Sequence, residues 1–364
     1  MRRGKLKDNC QRQPLTAAVD LFCGAGGLTR GLLDASIKVV AGYDIDEACR
    51  YAYDHNNSPA KFHNTSIADL TGNELAKHFP KGHARILVGC APCQTFSKYT
   101  QGLDNKNDPK WTLLTQFARL IREVKPDIVS MENVPELQRY SVFDKFLKTL
   151  KDEGFHFTDD VEKRVVYCPD FGIPQHRRRL VIVASRFGMI ELIPPTHSPT
   201  EYRKVSDVLR SLPELESGEE CSTDPIHRTS RLTSINLKRI RHSKPGGTWR
   251  DWPSNLVAKC HKEESGQTYP SVYGRMEWDK PSPTITTQFY GFGNGRFGHP
   301  EQDRAISLRE GALLQSFPKD YKFVKPDAKY PFKTIGRMIG NAVPVRLGEI
   351  VGKTIHQHLV AHGH

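Results

Sequence analysis

Along the first half of the chain, short apolar runs are each followed by a polar or glycine-rich turn and then by a stretch with helical apolar spacing. Residues 17–22, Ala17-Ala18-Val19-Asp20-Leu21-Phe22, predict a first strand, and 28–35 a helix. A second strand over 39–43 ends at Asp44, and a helix over 47–55 follows. The alternation continues with a strand at 86–89, a helix at 113–123, a strand at 128–131 and a helix at 143–153. Segments 161–167 and 180–184 then predict two strands paired antiparallel. Continuous apolar strands alternating with helices belong to a doubly wound α/β fold with a mostly parallel sheet.

Beyond residue 186 this pattern breaks. Prolines accumulate (Pro194, Pro195, Pro199, Pro213, Pro225), and segment 226–250 carries Arg228, Arg231, Lys238, Arg239, Arg241, Lys244 and Arg250 without an acidic residue. We read 187–280 as a separate, looser, basic domain. A helical pattern returns at Leu308-Arg309-Glu310-Gly311-Ala312-Leu313-Leu314, and a last helix over 345–362 is expected to pack back on the first domain.

The 364 residues suffice for one large domain and a smaller one. A net charge of +12 favours a polyanionic partner, most simply nucleic acid. The basic start has no apolar core after it, so it does not read as a secretory signal. No run approaches the ~18 apolar residues of a membrane span. Eight scattered cysteines without a signal read as reduced thiols of the cytoplasm.

Three clusters behind strand-like runs carry candidate chemistry. Asp20-Leu21-Phe22-Cys23-Gly24-Ala25-Gly26-Gly27-Leu28 joins the first strand to the first helix, where glycines let backbone N–H groups approach a ligand. Thr29 stands where a dinucleotide fingerprint has its third glycine, which weakens a nicotinamide or flavin reading. Together with Asp44, placed for ribose hydroxyls, the loop points to an adenosine-containing cofactor. Phe22 reads either as a ring stacked on adenine or as a core aromatic.

Cys93 in Gly89-Cys90-Ala91-Pro92-Cys93-Gln94 has three readings: a nucleophile on a strand-to-helix turn, half of a dithiol pair with Cys90, or a buried structural thiol. No second C-x-x-C completes a zinc site, so no metal is expected. Cys90 reads as a strand-end core residue, and the polar run from Gln94 through Ser97 to Asn107 as a loop able to close over a substrate. Glu132-Asn133-Val134 and Gln175-His176-Arg177-Arg178-Arg179 add a carboxyl and a pair of guanidinium groups. A thiol, a carboxyl and arginines suggest covalent chemistry on a polar heterocycle.

With these residues the chain resembles the DNA (cytosine-5)-methyltransferases of small bacterial restriction–modification systems. Six segments match in order: Phe22-Cys23-Gly24-Ala25-Gly26-Gly27, Pro92-Cys93-Gln94, Glu132-Asn133-Val134, Gln175-x-Arg177-x-Arg179, Arg309-Glu310 through Pro318, and Gly340-Asn341-Ala342-Val343-Pro344. The resemblance implies a sheet of the S-adenosylmethionine-dependent, Rossmann-like methyltransferase type, with catalytic domain 1–186, target-recognition domain 187–280 and a returning segment 281–364. It implies S-adenosyl-L-methionine as cofactor, S-adenosyl-L-homocysteine as product, and no metal. Phe22, Gly24, Gly26, Gly27, Leu28, Asp44, Ile45, Pro92, Asn341 and Val343 would hold the cofactor. Cys93 would attack carbon 6 of cytosine, with Glu132, Arg177 and Arg179 completing the catalytic set.

Gln94, Ser97, Arg228, Arg231, Lys238, Arg239, Arg241, Trp249 and Arg250 would meet double-stranded DNA, most through phosphate. Two positions depart from the family pattern. Ser66, with Asp69 nearby, stands where an acidic residue often meets the adenine amino group, and Ile45 where a bulkier side chain is common. A monomer in the cytoplasm, associated with the nucleoid, and a separately acting cognate restriction endonuclease complete the expectation. RNA methylation, a DNA-binding regulator without catalysis and a dithiol oxidoreductase are the competing readings.

Overall fold

The computed structural model describes residues 13–92, 109–326, 328 and 330–364. Cys93, Gln94 and Ser97 lie outside the described residues.

Seven strands form one sheet: β1 (Thr16–Leu21), β2 (Val39–Asp44), β3 (Lys61–Asn64), β4 (Ala84–Gly89), β5 (Ile128–Asn133), β6 (Val165–Tyr167) and β7 (Arg178–Ser185). Their order is β3-β2-β1-β4-β5-β7-β6. The first five strands in sequence pair in parallel, while β7 runs antiparallel to both β5 and β6. Every residue of β1 and of β5 is buried, so neither strand has a solvent face to mark with alternating polar residues.

Eleven α-helices join the described strands and extend beyond them: α1 (Gly27–Asp34), α2 (Arg50–Asn56), α3 (Gly72–Ala76), α4 (Pro109–Val124), α5 (Ser141–Asp152), α6 (Ser206–Leu209), α7 (Ser234–His242), α8 (Lys259–Lys262), α9 (Leu308–Leu314), α10 (Phe332–Asn341) and α11 (Val345–Ala361). Leu28 and Leu32 of α1, Tyr53 of α2 and Ile350 of α11 bury on one face of the sheet. Leu75 of α3, Phe117 of α4 and Phe146 of α5 bury on the other. This is the doubly wound fold.

The expected return of the last helix is observed, and glycines permit it. A Cβ on Gly31 would stand 2.2 Å from the carbonyl oxygen of Val345, and one on Gly348 would stand 2.8 Å from that of Leu28. The backbones of α1 and α11 therefore meet with no side chain between them at these points.

Three details differ from the sequence reading. The segment expected as a strand from 161 begins only at Val165, because Asp160 Oδ1 accepts from the N–H groups of Glu162 and Lys163 at 2.9 and 3.3 Å and turns the chain. The helix expected over 47–55 splits into a 3-10 turn, Glu47–Cys49, and α2. Strand β3 and helix α3 had no apolar run to announce them: only Phe62 of β3 is buried.

Packing also divides the second half of the chain unevenly. Val205, Leu209 and Ile226 join the main core, beside Leu308 and Ala312 of α9. A separate small core gathers Leu232, Ile240, Trp249, Trp252, Leu256, Phe292 and Ala305. Among the described residues, no helix is long and apolar enough to cross a membrane.

The close contact of α1 and α11 generates a test. Gly31→Ala is expected to cost about 1–3 kcal/mol through overpacking against α11, read as a lowered midpoint in urea with an unchanged m-value.

Candidate active site

One cavity of about 620 Å³ opens at the carboxyl ends of β1, β2, β4 and β5. The volume lies in the range of small-molecule and cofactor sites. Its floor lies where the chain leaves β1 and β4 toward opposite faces of the sheet, the usual ligand position in such folds.

At one end stands the glycine loop. Phe22, Gly24 and Gly26 all have left-handed backbone, with φ of 59°, 51° and 89°. For Phe22, which is not glycine, this costs roughly 1–2 kcal/mol. The Asp44 carboxylate fixes the loop, accepting from Gly24 N–H at 2.8 Å through Oδ2 and from Asp46 N–H at 2.8 Å through Oδ1. Phe22, Gly24, Leu28, Asp44, Ile45, Pro92, Asn341 and Val343 all line the cavity. Phe22 also packs on the second core cluster, as its core-aromatic reading expects.

Gly26 and Gly27 do not line it. A Cβ on Gly26 would lie 2.3 Å from the Asn57 amide, and one on Gly27 would lie 2.3 Å from the Val343 carbonyl. They are glycines because protein packs against them. Ser66 and Asp69 are also absent from the lining, whereas Asp20, Cys49, Arg337 and Met338 are part of it. Arg337 of α10 pairs with Asp46 at 2.6 Å, linking the two sides of the cavity mouth.

Asp20 is almost wholly buried. Its Oδ2 accepts from Thr29 Oγ1 at 2.7 Å, and its Oδ1 has no partner. Burial pushes its carboxyl up to about 7, against the lowering effect of the Thr29 hydrogen bond. An unpaired buried carboxylate oxygen lining a cavity suits a ligand that brings a positive charge or a donor.

The other end gathers Cys90, Ala91, Pro92, Glu132, Asn133, Arg177 and Arg179. Glu132 ends β5, and Arg179 lies on the antiparallel neighbour β7, so the register brings them together. Arg179 Nε lies 2.9 Å from Glu132 Oε1, an ion pair whose N–H is not aligned on the oxygen. Cys90 Sγ is 2.7 Å from Glu132 Oε2, so this thiol faces the site while its residue also packs against the main core, as expected of it. Asn133 donates through Nδ2 to the Ala91 carbonyl at 3.2 Å, tying β5 to the turn that carries Pro92. Arg177 is buried and donates to Gln175 Oε1 at 3.3 Å and to the Ile285 carbonyl at 3.1 Å, leaving Nε without a partner. Burial first, then the charge of Arg179, brings its guanidinium down to about 9.

The basic segment divides into two groups. Arg231 and Lys238 are exposed, as are Arg241 and Arg250, which are tethered to Asp303 at 3.2 Å and to the Gln267 carbonyl at 2.8 Å. Trp249, Arg228 and Arg239 differ from the expected DNA-facing role. Trp249 is buried, stacked on His261 at 4.4 Å, with its indole N–H on the Tyr269 carbonyl. Arg228 lies over the Phe332 ring and donates to the Tyr330 carbonyl. Arg239 donates to the Leu256 carbonyl at 2.9 Å and lies 5.6 Å from the centre of the Trp252 ring. Trp249 and Arg239 hold the basic segment together, and Arg228 ties it to the segment at Tyr330 and Phe332.

The fold and cavity are those of a methyltransferase of the doubly wound class. The family described as C-5 cytosine-specific DNA methylase matches residues 16–357, and the chain belongs to it. Its reaction is accordingly methylation of cytosine C5 in DNA. The chain is 55% identical to the Type II methylase M.HgiDII of Herpetosiphon aurantiacus, over 94% of this chain and 96% of that protein. It is 32% identical to the Type II methyltransferase M.Eco47II of Escherichia coli, over 93% and 78%. A solved mutant of Spodoptera frugiperda DNMT2 superposes with TM-score 0.62 over 92% of this chain and 99% of that one. At 17% identity that likeness is one of fold alone.

Asp20 supplies a pH test. Its folded pKa of about 7 exceeds the ordinary 3.8, so the folded state holds a proton that the unfolded state releases. Stability must then fall as pH rises from about 4 to about 7. Asp20→Asn keeps an acceptor for Thr29 and removes the titration. Urea unfolding at pH 5 and 7.5 should show wild type losing roughly 2–3 kcal/mol more than the variant.

Proposed function

We propose that the chain uses S-adenosylmethionine to methylate a cytosine flipped out of one short duplex sequence, as the modification enzyme of a restriction system. The observation that carries this reading is that one cavity has both ends of the chemistry in its lining. The glycine loop, Asp20, Asp44 and Val343 stand at one end, and Glu132, Arg177, Arg179 and Pro92 at the other. A donor and an acceptor base bound in one cavity would react without crossing solvent.

The residues suit the cofactor. Asp44 remains able to accept from ribose hydroxyls, since each oxygen carries one protein hydrogen bond. Ile45, 75% exposed at the cavity mouth, can pack on adenine. Asp20 Oδ1 can accept from a cationic group. When bound, S-adenosylmethionine supplies an electrophilic methyl group and leaves as S-adenosylhomocysteine.

Cytosine C5 is a weak nucleophile. Attack by the Cys93 thiolate at C6 breaks the aromatic system and makes C5 an enamine carbon. Glu132 at N3 supplies the proton or hydrogen bond that offsets charge on the ring, and Arg179 beside it holds the O2 edge. Buried Arg177 backs Arg179 and orders that wall. After methylation, loss of the C5 proton and of the thiolate from C6 restores the aromatic ring and frees Cys93.

The reacting carbons are covered by stacking in a duplex, so the base must leave the helix at a cost of a few kcal/mol. Exposed Arg231, Lys238, Arg241 and Arg250 supply phosphate contacts that help offset it. Gln94 and Ser97 belong to the same substrate-facing set by sequence. The enzyme acts in the cytoplasm, on the nucleoid, as a monomer, with its endonuclease a separate protein.

The test uses wild type and Cys93→Ser, each incubated with S-adenosylmethionine and unmethylated plasmid, then bisulfite sequencing. Wild type should protect one cytosine within one short sequence, and Cys93→Ser should lower the rate by about 10³-fold or more. Glu132→Gln should lower it about 10²–10⁴-fold. An absence of protected cytosines at every salt concentration would overturn the duplex-DNA reading.

A further inference from the structure

Two glutamine side chains, both wholly buried, lie outside the cavity and join its two ends. Gln175 Oε1 accepts from Arg177 Nη1 at 3.3 Å and from Ile285 N–H at 2.9 Å. Its Nε2 donates to the Leu314 carbonyl at 3.1 Å and to Gln315 Oε1 at 2.8 Å. Gln315 Nε2 in turn donates to the Ile339 carbonyl at 2.8 Å and to the Ala342 carbonyl at 3.1 Å. All four hydrogen-bonding positions of Gln175 are used, as are both donors of Gln315.

The direction of this chain is fixed. Gln175 must present its oxygen to Arg177 and Ile285 and its nitrogen to Gln315, which then presents its own nitrogen to the end of α10. A flip of either amide would set like atoms against each other in a dry interior, at a cost above that of an ordinary lost hydrogen bond. At one end is Arg177, in the wall of the base-binding end. At the other is Ala342, which lines the cavity beside Asn341 and Val343.

We infer that Gln175 and Gln315 are positioning residues that set the base-binding wall and the cofactor-binding segment in one register. Neither touches the cavity. The inference rests on the methyltransferase reading for its ligands, and adds that cofactor affinity depends on a residue of the arginine cluster.

The test measures S-adenosylhomocysteine binding by calorimetry on the whole protein. Gln175→Glu keeps both acceptor contacts and loses both donors. Gln315→Met loses the donors to the end of α10. Each should weaken binding roughly 5–50-fold, the effect of a buried group left unpaired. The double variant should bind within about twofold of the weaker single variant, because both break one chain. Thr284→Val removes a neighbouring hydrogen bond, from Thr284 Oγ1 to the His176 carbonyl at 2.6 Å, without touching the relay. It should change binding by less than about twofold, which separates a relay from general loosening. Undiminished binding by Gln175→Glu, or single effects that multiply in the double variant, would overturn the inference.

A second readout is independent of the ligand. The Val345 amide donates to the Gln315 carbonyl at 3.2 Å, and its hydrogen exchange should quicken in Gln175→Glu. Wild-type exchange there overturns the relay even if wild type binds no S-adenosylhomocysteine, whereas absent wild-type binding alone overturns the cofactor reading. Should Gln315→Met fail to fold, Gln175→Glu carries both measurements.

Discussion

The structure turns on how the chain leaves two adjacent parallel strands. From β1 it passes through the glycine loop to α1 on one face, and α4, which follows β4 along the chain, covers the other. Parallel strands with crossovers on opposite faces leave a gap at their shared carboxyl edge, since no helix can cover it from either side. The cavity occupies that gap. Asp44 at the end of β2 and Glu132 at the end of β5 reach it because their strands flank the divergent pair. The carboxylates carried by strand ends thus converge on one cavity.

One buried ion pair away from the cavity is fully satisfied. Arg304 and Glu310, each 1% exposed, form a bidentate pair at 2.7 and 2.8 Å, and Glu310 also accepts from Ser307 N–H at the start of α9. Burial would raise the Glu310 carboxyl, and Arg304 overrides this to hold it near 2. Such a pair gives little net stability but is costly to break, so it fixes where α9 sits relative to the segment that carries Arg304. Among the residues lining the cavity, Asp20 Oδ1, Arg177 Nε and Arg337 Nε have no partner in the protein. Unpaired buried groups of both signs are tolerable where a zwitterionic ligand and a polar base can complete them.

The basic region follows a different logic. Its small core rests on Trp249, Trp252 and Phe292 rather than on a sheet, and cations are laid over its rings. Arginine serves both to hold such a unit and to face a polyanion, because its flat guanidinium stacks on aromatics while its edge donates. A basic stretch is therefore not uniformly a binding surface, as the buried contacts of Arg228 and Arg239 demonstrate.

By itself the amino-acid sequence determined the doubly wound class, the site of the glycine loop, and the antiparallel pair β6 and β7. These follow from local apolar runs and from turn residues whose chemistry is the same in any context. Short β3 had no such signal, and α3 had only the cap formed by Thr71 and Glu74. Tertiary structure alone decided that Gly26 and Gly27 face protein, that Cys90 faces Glu132, and that Trp249 is buried in a small core of its own. It also decided that Gln175 meets Gln315, a contact between residues 140 positions apart. The reason is that a side chain's partner is set by strand register and helix docking. Both are sums over distant contacts that no single stretch of sequence contains.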